Sequence, residues 1–296
     1  MSGGDFRFGT PRATAQGVEM AVTVPVDSPW FAGHFPGRPI LPGVAHLHLA
    51  CRLAALPDRA PAALAAVEAW RWSEPVAPGD ELVATLAPAG AGRGRFALRR
   101  AGEDDGGERW GLGGGTLAWA GAGDPAGDAP RRDASGEPAA EGSSAGPAFG
   151  SIAVPSGGLA TLLPHQSPAR LAETLQEAGP ERLVCRGRID AGHPAVSPLG
   201  APSFLAVELA AQCCAGWPLA DGEGGEDAAA PRVGYLVRLR DVRFARPWLA
   251  AAAPLTARLE LEGRTGPLTL CHFRVEDAAG TEVAAGTLGV FQPPAR

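Results

Sequence analysis

The 296-residue chain contains neither lysine nor asparagine. We read the absence as genomic composition bias, yet it still removes chemistry: no Schiff-base amine, no P-loop lysine and no Asn-Gly hairpin turn. Cysteine is scarce. Five residues, Cys51, Cys185, Cys213, Cys214 and Cys271, form no C-x-x-C pair and leave an odd thiol in any pairing scheme, so reduced thiols are expected. The neighbours Cys213 and Cys214 lie in an apolar run, where small polarizable side chains fill a core. An excess of positive charge is also missing. A formal charge of −6 argues against a nucleic-acid partner, which needs a basic surface. No apolar run approaches the roughly 18 residues of a membrane span, and the opening MSGGDFRFG has no apolar signal core. A cytoplasmic location without a membrane span is the expectation.

What the chain has in quantity is glycine and proline, 41 and 29 residues. Many sit in one stretch, Gly121 to Gly150, with almost no large apolar side chain among them. Such a segment cannot bury enough surface to offset its ordering entropy and reads as a flexible linker over 121–150. It separates a unit at 5–120 from a second at 151–296.

The two units carry the same order of signals. The first opens on Val18, Met20, Val22, Val24 and Val26, an alternation that predicts a half-buried strand. An apolar run from His46 to Leu56 then predicts a helix of three turns. Strand-like stretches follow at Ala66–Trp72, Leu82–Leu86, Phe96–Arg100 and Thr116–Trp119. In the second unit a strand at Arg182–Ile189 precedes a helix in SFLAVELAAQCCAGW. Strands at Tyr235–Phe244, Leu255–Glu262, Thr269–Glu276 and Glu282–Phe291 come after an acidic Gly-rich loop, Asp221–Asp227. His48 and Glu208 are 160 residues apart, and His34 and His193 are 159 apart. Internal duplication is the economical explanation. A helix apolar on most sides, wrapped by a meandering antiparallel sheet, makes each copy α+β.

The chemistry concentrates in His34 to Val44, HFPGRPILPGV. A lone His beside an aromatic and two prolines is commonly structural, but the rigid Pro and Gly corners fix a backbone that a surface loop would not need fixed. Pro42 and Gly43 fall at the helix start, where free N–H groups offer a site for an anionic or polarised oxygen. The other signals are weaker. Gly111–Thr116, GLGGGT, lacks the spacing of a phosphate cradle and reads as a β-bulge or loop. The arginines at 93, 95, 99, 100 and at 238, 240, 243, 246 recur at strand spacing, as on a solvated face. His46 and His48 lie about 200° apart around a helix and cannot share a metal ion, so no metal site is expected. His165 and His272 read as structural.

The run HFPGRPILPGV, with the turn PVAPGD at Pro75–Asp80, closely resembles the hot-dog-fold 3-hydroxyacyl-[acyl-carrier-protein] dehydratases, above all the aryl-polyene version. The second unit, through LLPHQSPARLAETLQEAGPERLVC and the ELAAQ helix, resembles the partner dehydratase subunit of those pathways. The resemblance covers most of both units, and the first motif is the more specific. It implies two tandem hot-dog domains forming an intrachain pseudo-dimer, each site combining a His from one unit with a carboxylate from the central helix of the other. His34 matches the family His. The family acid falls at His48, so the first unit departs from the pattern there. The second unit has His193-Pro194-Ala195-Val196 where HFPG would stand, but Glu208 and Gln212 match the acid and its following Gln.

One complete site is therefore expected, His34 with Glu208, and a reciprocal pair, His193 with His48, lacking an acid. Dehydration of a 3-hydroxyacyl thioester to a trans-2-enoyl thioester needs a base for the C2 proton, an acid for the C3 hydroxyl and a donor for the thioester oxygen. A neutral His, a buried Glu kept protonated, and the amides of Gly43 or Val44 meet those needs. An unpaired carboxylate in an apolar helix is costly to bury, which favours function for Glu208. His48 is open to three readings: a proton donor when charged, a ligand of the substrate hydroxyl, or a satisfied core group.

No cofactor is implied beyond the phosphopantetheine of an acyl carrier protein. Arg38 is the candidate for its phosphate. Acyl carrier protein is the expected partner, with a ketosynthase or other enzyme of fatty acid, aryl-polyene or polyketide synthesis as a further one. Further oligomerisation stays open. Two rival readings stand: a hot-dog thioesterase in which Glu208 activates water or attacks, and a non-catalytic scaffold for a carrier protein or ketosynthase.

Overall fold

The computed structural model describes residues 5–56, 62–103, 111–121, 159, 162–217 and 233–293. The linker beyond Gly121 and the loop Asp221–Asp227 lie outside the described residues. In the first half, β1 (Arg7–Phe8), β2 (Arg12–Thr14) and β3 (Gly17–Thr23) precede helix α1 (Gly43–Ala54). Then come β4 (Leu64–Trp72), β5 (Glu81–Pro88), β6 (Arg93–Arg100) and β7 (Gly113–Trp119). The second half has β8 (Ala172–Ala178), β9 (Arg182–Arg188), β10 (Ala201–Pro202) and helix α2 (Leu205–Cys213). It closes with β11 (Tyr235–Phe244), β12 (Trp248–Leu249), β13 (Pro254–Thr265), β14 (Leu268–Asp277) and β15 (Glu282–Phe291).

The alternation read at the start of the chain is that of a strand with one face in the core. Met20, Val22 and Val24 are buried, but the chain turns at Pro25 and Ser28, and Val26 points outward at 74% exposure. Both helices are apolar on most sides because sheet wraps them. Seven of the twelve residues of α1 are buried, and in α2 only Ala211 escapes full burial. Cys213 and Cys214 pack in this core, as expected, and every cysteine is free.

Thirteen strands form one antiparallel sheet in the order β1-β3-β5-β6-β7-β4-β11-β15-β14-β13-β9-β8, with β2 on β3, and β10 and β12 pair with each other apart from it. The order reads nearly as a palindrome about β4 and β11, so the repeat seen in the sequence is a repeat in space. The seam pairs Trp70 with Leu239 and Val67 with Val242. Helices α1 and α2 also touch. These contacts set the ends of the two helices close to residues from the opposite half. The fold is the double hot-dog.

The Gly-rich stretch corrects one expectation. Instead of a bulge or loop, Gly113–Gly115 opens a regular strand, β7, between β4 and β6. These glycines permit close approach: a Cβ on Gly115 would lie 1.9 Å from the Ala69 carbonyl oxygen. Replacing Gly115 by Ala is thus expected to destabilise the protein by about 3 kcal/mol, read as a lowered denaturant midpoint. An unchanged midpoint would contradict this packing.

Candidate active site

His34 is held by its own loop. The backbone turns through His34 N–H to Phe31 O and Ile40 N–H to the His34 carbonyl, at 3.1 and 3.2 Å. That turn brings the Ile40 carbonyl to 3.0 Å from the ring Nδ1 of His34. A carbonyl only accepts, so Nδ1 carries the proton and Nε2 keeps its lone pair. The ring is buried, and burial lowers its pKa to about 4, partly opposed by the bond to Ile40. At neutral pH His34 is a neutral imidazole with a free basic nitrogen.

Glu208 comes from α2 in the other half. It is 6% exposed, and burial raises its pKa to about 7, with the bond from Gln212 pulling the other way. Gln212, one turn on, donates to Glu208 Oε1 at 3.0 Å and to the Ala169 carbonyl at 2.8 Å. Its own oxygen accepts from the amides of Leu171 and Ala172 at 2.8 and 3.1 Å. With both ends of its amide engaged, Gln212 is fixed and fixes the carboxyl.

The structure brings in one residue that the sequence reading set aside as structural. His165 is buried, with Nε2 3.7 Å from Glu208 Oε1 and its ring centroid 5.0 Å from that of His34. Burial, followed by the neighbouring His34, holds its pKa well below the usual value, so its contact with Glu208 is not an ion pair. The backbone places it there. Gln166 N–H bonds to the Gly33 carbonyl at 2.9 Å, and Gly33, at φ +77, has no room for a side chain, since a Cβ would meet Gln166 O at 2.1 Å. The histidine of the LLPH run was the available signal, but nothing in its spacing ties it to His34.

His34, His165 and Glu208 offer donor atoms within 4.8 Å of one another. Two imidazoles and a carboxylate are a set that suits zinc. A bound cation would, however, occupy the imidazole lone pair and keep the carboxyl ionised, removing the base and acid forms that burial maintains.

All three line a cavity of about 320 Å³ at the junction of the halves. Gly43, His46 and Trp72 contribute from the first half, Gln212 and Tyr235 from the second. Helix α1 starts at Gly43, after Pro42, and the Trp72 indole donates to the Gly43 carbonyl at 3.1 Å. The amides of Gly43 and Val44 lie in the first turn, where no intrahelical acceptor exists. Gly43 lines the cavity, whereas the Val44 side chain is fully buried beneath it. Arg38 is exposed at the cavity's edge. His46 borders the cavity against Trp72, and burial lowers its pKa to about 3.

The reciprocal pair is arranged differently. The Trp30 indole sits against both His48 and His193, with centroids 5.3 and 5.4 Å away. His193 Nδ1 accepts from the Ala195 amide at 3.2 Å. His48 packs against Phe6 and Phe204 as well, and among the described residues its buried Nε2 has no hydrogen-bond partner. Burial lowers its pKa to about 3.

Fold and site define a two-unit hot-dog protein with one histidine–carboxyl centre assembled from both units. Residues 10–106 match the family model described as ApeI dehydratase, and residues 158–296 match that described as ApeP dehydratase. The chain belongs to the hot-dog dehydratases, carrying an ApeI-like domain followed by an ApeP-like domain. Among curated relatives, the 3-hydroxyacyl-[acyl-carrier-protein] dehydratase FabZ of Burkholderia lata is 30% identical over 101 residues, 31% of this chain and 65% of the relative. That of Thermus thermophilus is 37% identical over 86 residues, 26% of this chain and 61% of the relative. The chain thus spans just under two thirds of the length of these relatives. The fold is similar to the dehydratase domain of RzxB from Pseudomonas fluorescens, with TM-score 0.62, 16% identity, and 97% and 98% of the two chains covered. It is also similar to the bifunctional dehydratase-cyclase domain of ambruticin biosynthesis, with TM-score 0.53, 20% identity, and 97% and 95% covered. Among the described residues no helix is long and apolar enough to cross a membrane.

Proposed function

We propose that the protein dehydrates a 3-hydroxyacyl thioester on acyl carrier protein to the trans-2-enoyl thioester, as one chain of two units, 5–120 and 151–296. The observation that carries this reading is the opposite tuning of two groups facing one cavity. His34 is neutral with Nδ1 committed to Ile40, and Glu208 has its pKa raised to about 7. His34 Nε2 takes the C2 proton while the Gly43 amide, with Val44 beside it, polarises the thioester oxygen. The Glu208 carboxyl gives its proton to the C3 hydroxyl, which departs as water. These steps are proton transfers, so no cofactor is required beyond the carrier's phosphopantetheine. Arg38, at the edge of the cavity, is the residue proposed to meet its phosphate. Fatty acid and polyketide synthesis are the settings that supply such a substrate, with a ketosynthase as the partner that makes the chain.

The thioesterase rival needs an ionised Glu208 as nucleophile or water-activating base, and burial beside a neutral His165 opposes that form. The test is mass spectrometry of a 3-hydroxyacyl carrier protein incubated with the enzyme. Loss of one water from the acyl chain supports dehydration. Release of the free carrier thiol without that loss supports hydrolysis, and no change supports the scaffold.

Two further results are expected from the same assay. Replacing His193 by Ala should leave turnover within about twofold of the wild type, since His193 packs on Trp30 and does not line the catalytic cavity. Loss of turnover would move the centre to the reciprocal pair. The pH profile of kcat/KM should be bell-shaped. The acidic limb falls as His34 gains a proton near pH 4, and the basic limb falls as Glu208 loses its proton near pH 7. A rate still rising above pH 8 would contradict the acid role of Glu208.

A further inference from the structure

The reciprocal half-site is not filled solid. Beside His48 lies a cavity of about 600 Å³, nearly twice the volume of the catalytic one and within the range of small-molecule sites. It is lined by His48, Cys51, Arg52 and Ala55 along α1 and just beyond it. The catalytic cavity is lined by Glu208, Ala211, Gln212 and Ala215 along α2 and just beyond it, each 160 residues later. The two cavities are copies related by the internal repeat, and the substitutions between them explain what the second has become.

Glu208 is replaced by His48, so among the described residues no carboxyl lines the second cavity, and the helix supplies no acid for dehydration there. Gln212 is replaced by Arg52. The Gln212 side chain is turned inward and buried, but Arg52 is exposed, its guanidinium 5.2 Å from the centre of the Phe8 ring. Turning this side chain outward empties the space that the glutamine fills in the other half. Apart from Ser197 and Ser203 the remaining lining is apolar, with Leu64, Ala195, Phe204 and Trp248 along the interior and Leu56, 40% exposed, at the mouth.

Among the described residues, Arg52 is the one formally charged residue lining this cavity. Among the described residues it makes no salt bridge, and the carboxylate its charge reaches is Asp5. An apolar interior with a single cation at its edge complements an amphiphile with one negative head. We propose that this cavity is a second, non-catalytic ligand site that takes a medium-chain fatty carboxylate, with the chain against the apolar lining and the head on Arg52. The proposal rests on the cavity's own lining and stands or falls apart from the dehydratase reading.

The test is calorimetric titration of the full chain with dodecanoate, read together with labelling of Cys51 by methyl methanethiosulfonate and peptide mass mapping. Cys51 reports on this cavity because it lines it, while the other four cysteines are fully buried; burial pushes its thiol up to about 12, so labelling is followed at alkaline pH, where the thiolate fraction is larger. Dodecanoate should bind saturably and slow Cys51 labelling. Arg52→Gln should weaken binding about tenfold, the worth of one charge-assisted hydrogen bond, and Arg52→Lys should retain most of it. Ala55→Trp, which fills the cavity, should abolish binding at this site, and the near-ultraviolet circular dichroism and denaturant midpoint of all three variants should match the wild type, reporting an intact fold. The proposal is overturned if dodecanoate does not bind, or if it binds without protecting Cys51 and equally in Ala55→Trp. It is overturned too if dodecanol binds as tightly, or if dodecanoyl-pantetheine binds where dodecanoate does not.

Discussion

Replacing Glu208 by Gln should cut dehydration by about 10²- to 10⁴-fold, the usual range for loss of a positioned proton donor. The substitution is close to isosteric. The new amide oxygen can still accept from Gln212 Nε2, so the clamp to Ala169, Leu171 and Ala172 has no reason to open. What disappears is the acidic proton. An amide cannot deliver one to the C3 hydroxyl, and the basic limb of the pH profile near pH 7 should vanish with it. The measurement is single-turnover mass spectrometry of the carrier-bound substrate, with near-ultraviolet circular dichroism to check packing. A variant that is well packed and as fast as the wild type would remove Glu208 from the chemistry.

His34→Ala should produce a loss of the same order, through the other half of the reaction. The Ile40 carbonyl that fixes the imidazole would then face a void, and no other neutral imidazole stands equally placed. His165 is near, but among the described residues its buried Nδ1 has no partner that would fix which of its nitrogens carries the proton. A sensitive check is exchange of the substrate's C2 hydrogen with deuterated solvent. Exchange should stop in His34→Ala and persist in Glu208→Gln, because removing the C2 proton needs the base alone. Persistent exchange in His34→Ala would transfer the base role to His165.

The two losses should not multiply. Glu208 acts on the species that His34 must form first, so the double variant should be little slower than His34→Ala alone. Independent sites would instead give the product of the two losses.

Much of the fold was legible because its signals are local. Alternation at Met20, Val22 and Val24, and the apolar runs that became α1 and α2, report burial directly. The pairing of His34 with Glu208 was legible only through the repeat, since the residues lie 174 positions apart and meet across the junction of the halves. What escaped is set by tertiary contact. Ala172–Ala178, AETLQEA, is made of residues that favour helix, yet it pairs with β9 as an edge strand. Gly113–Gly115 resembles a loop by composition and is a strand because its neighbours crowd the backbone. His165 reaches the centre through one backbone hydrogen bond, from Gln166 to Gly33, which no periodicity can announce.

The seam between β4 and β11 has a consequence for how this centre responds to dilution. When base and acid belong to separate polypeptides, the fraction of assembled centres falls with concentration, because each must find its partner. Here Trp70 and Leu239, Val67 and Val242 pair within one molecule. Assembly is a unimolecular event governed by effective concentration, so specific activity should not change with protein concentration on this account. The covalent tie also keeps the stoichiometry of the two halves at one to one, and it lets each half change sequence without having to recognise a copy of itself.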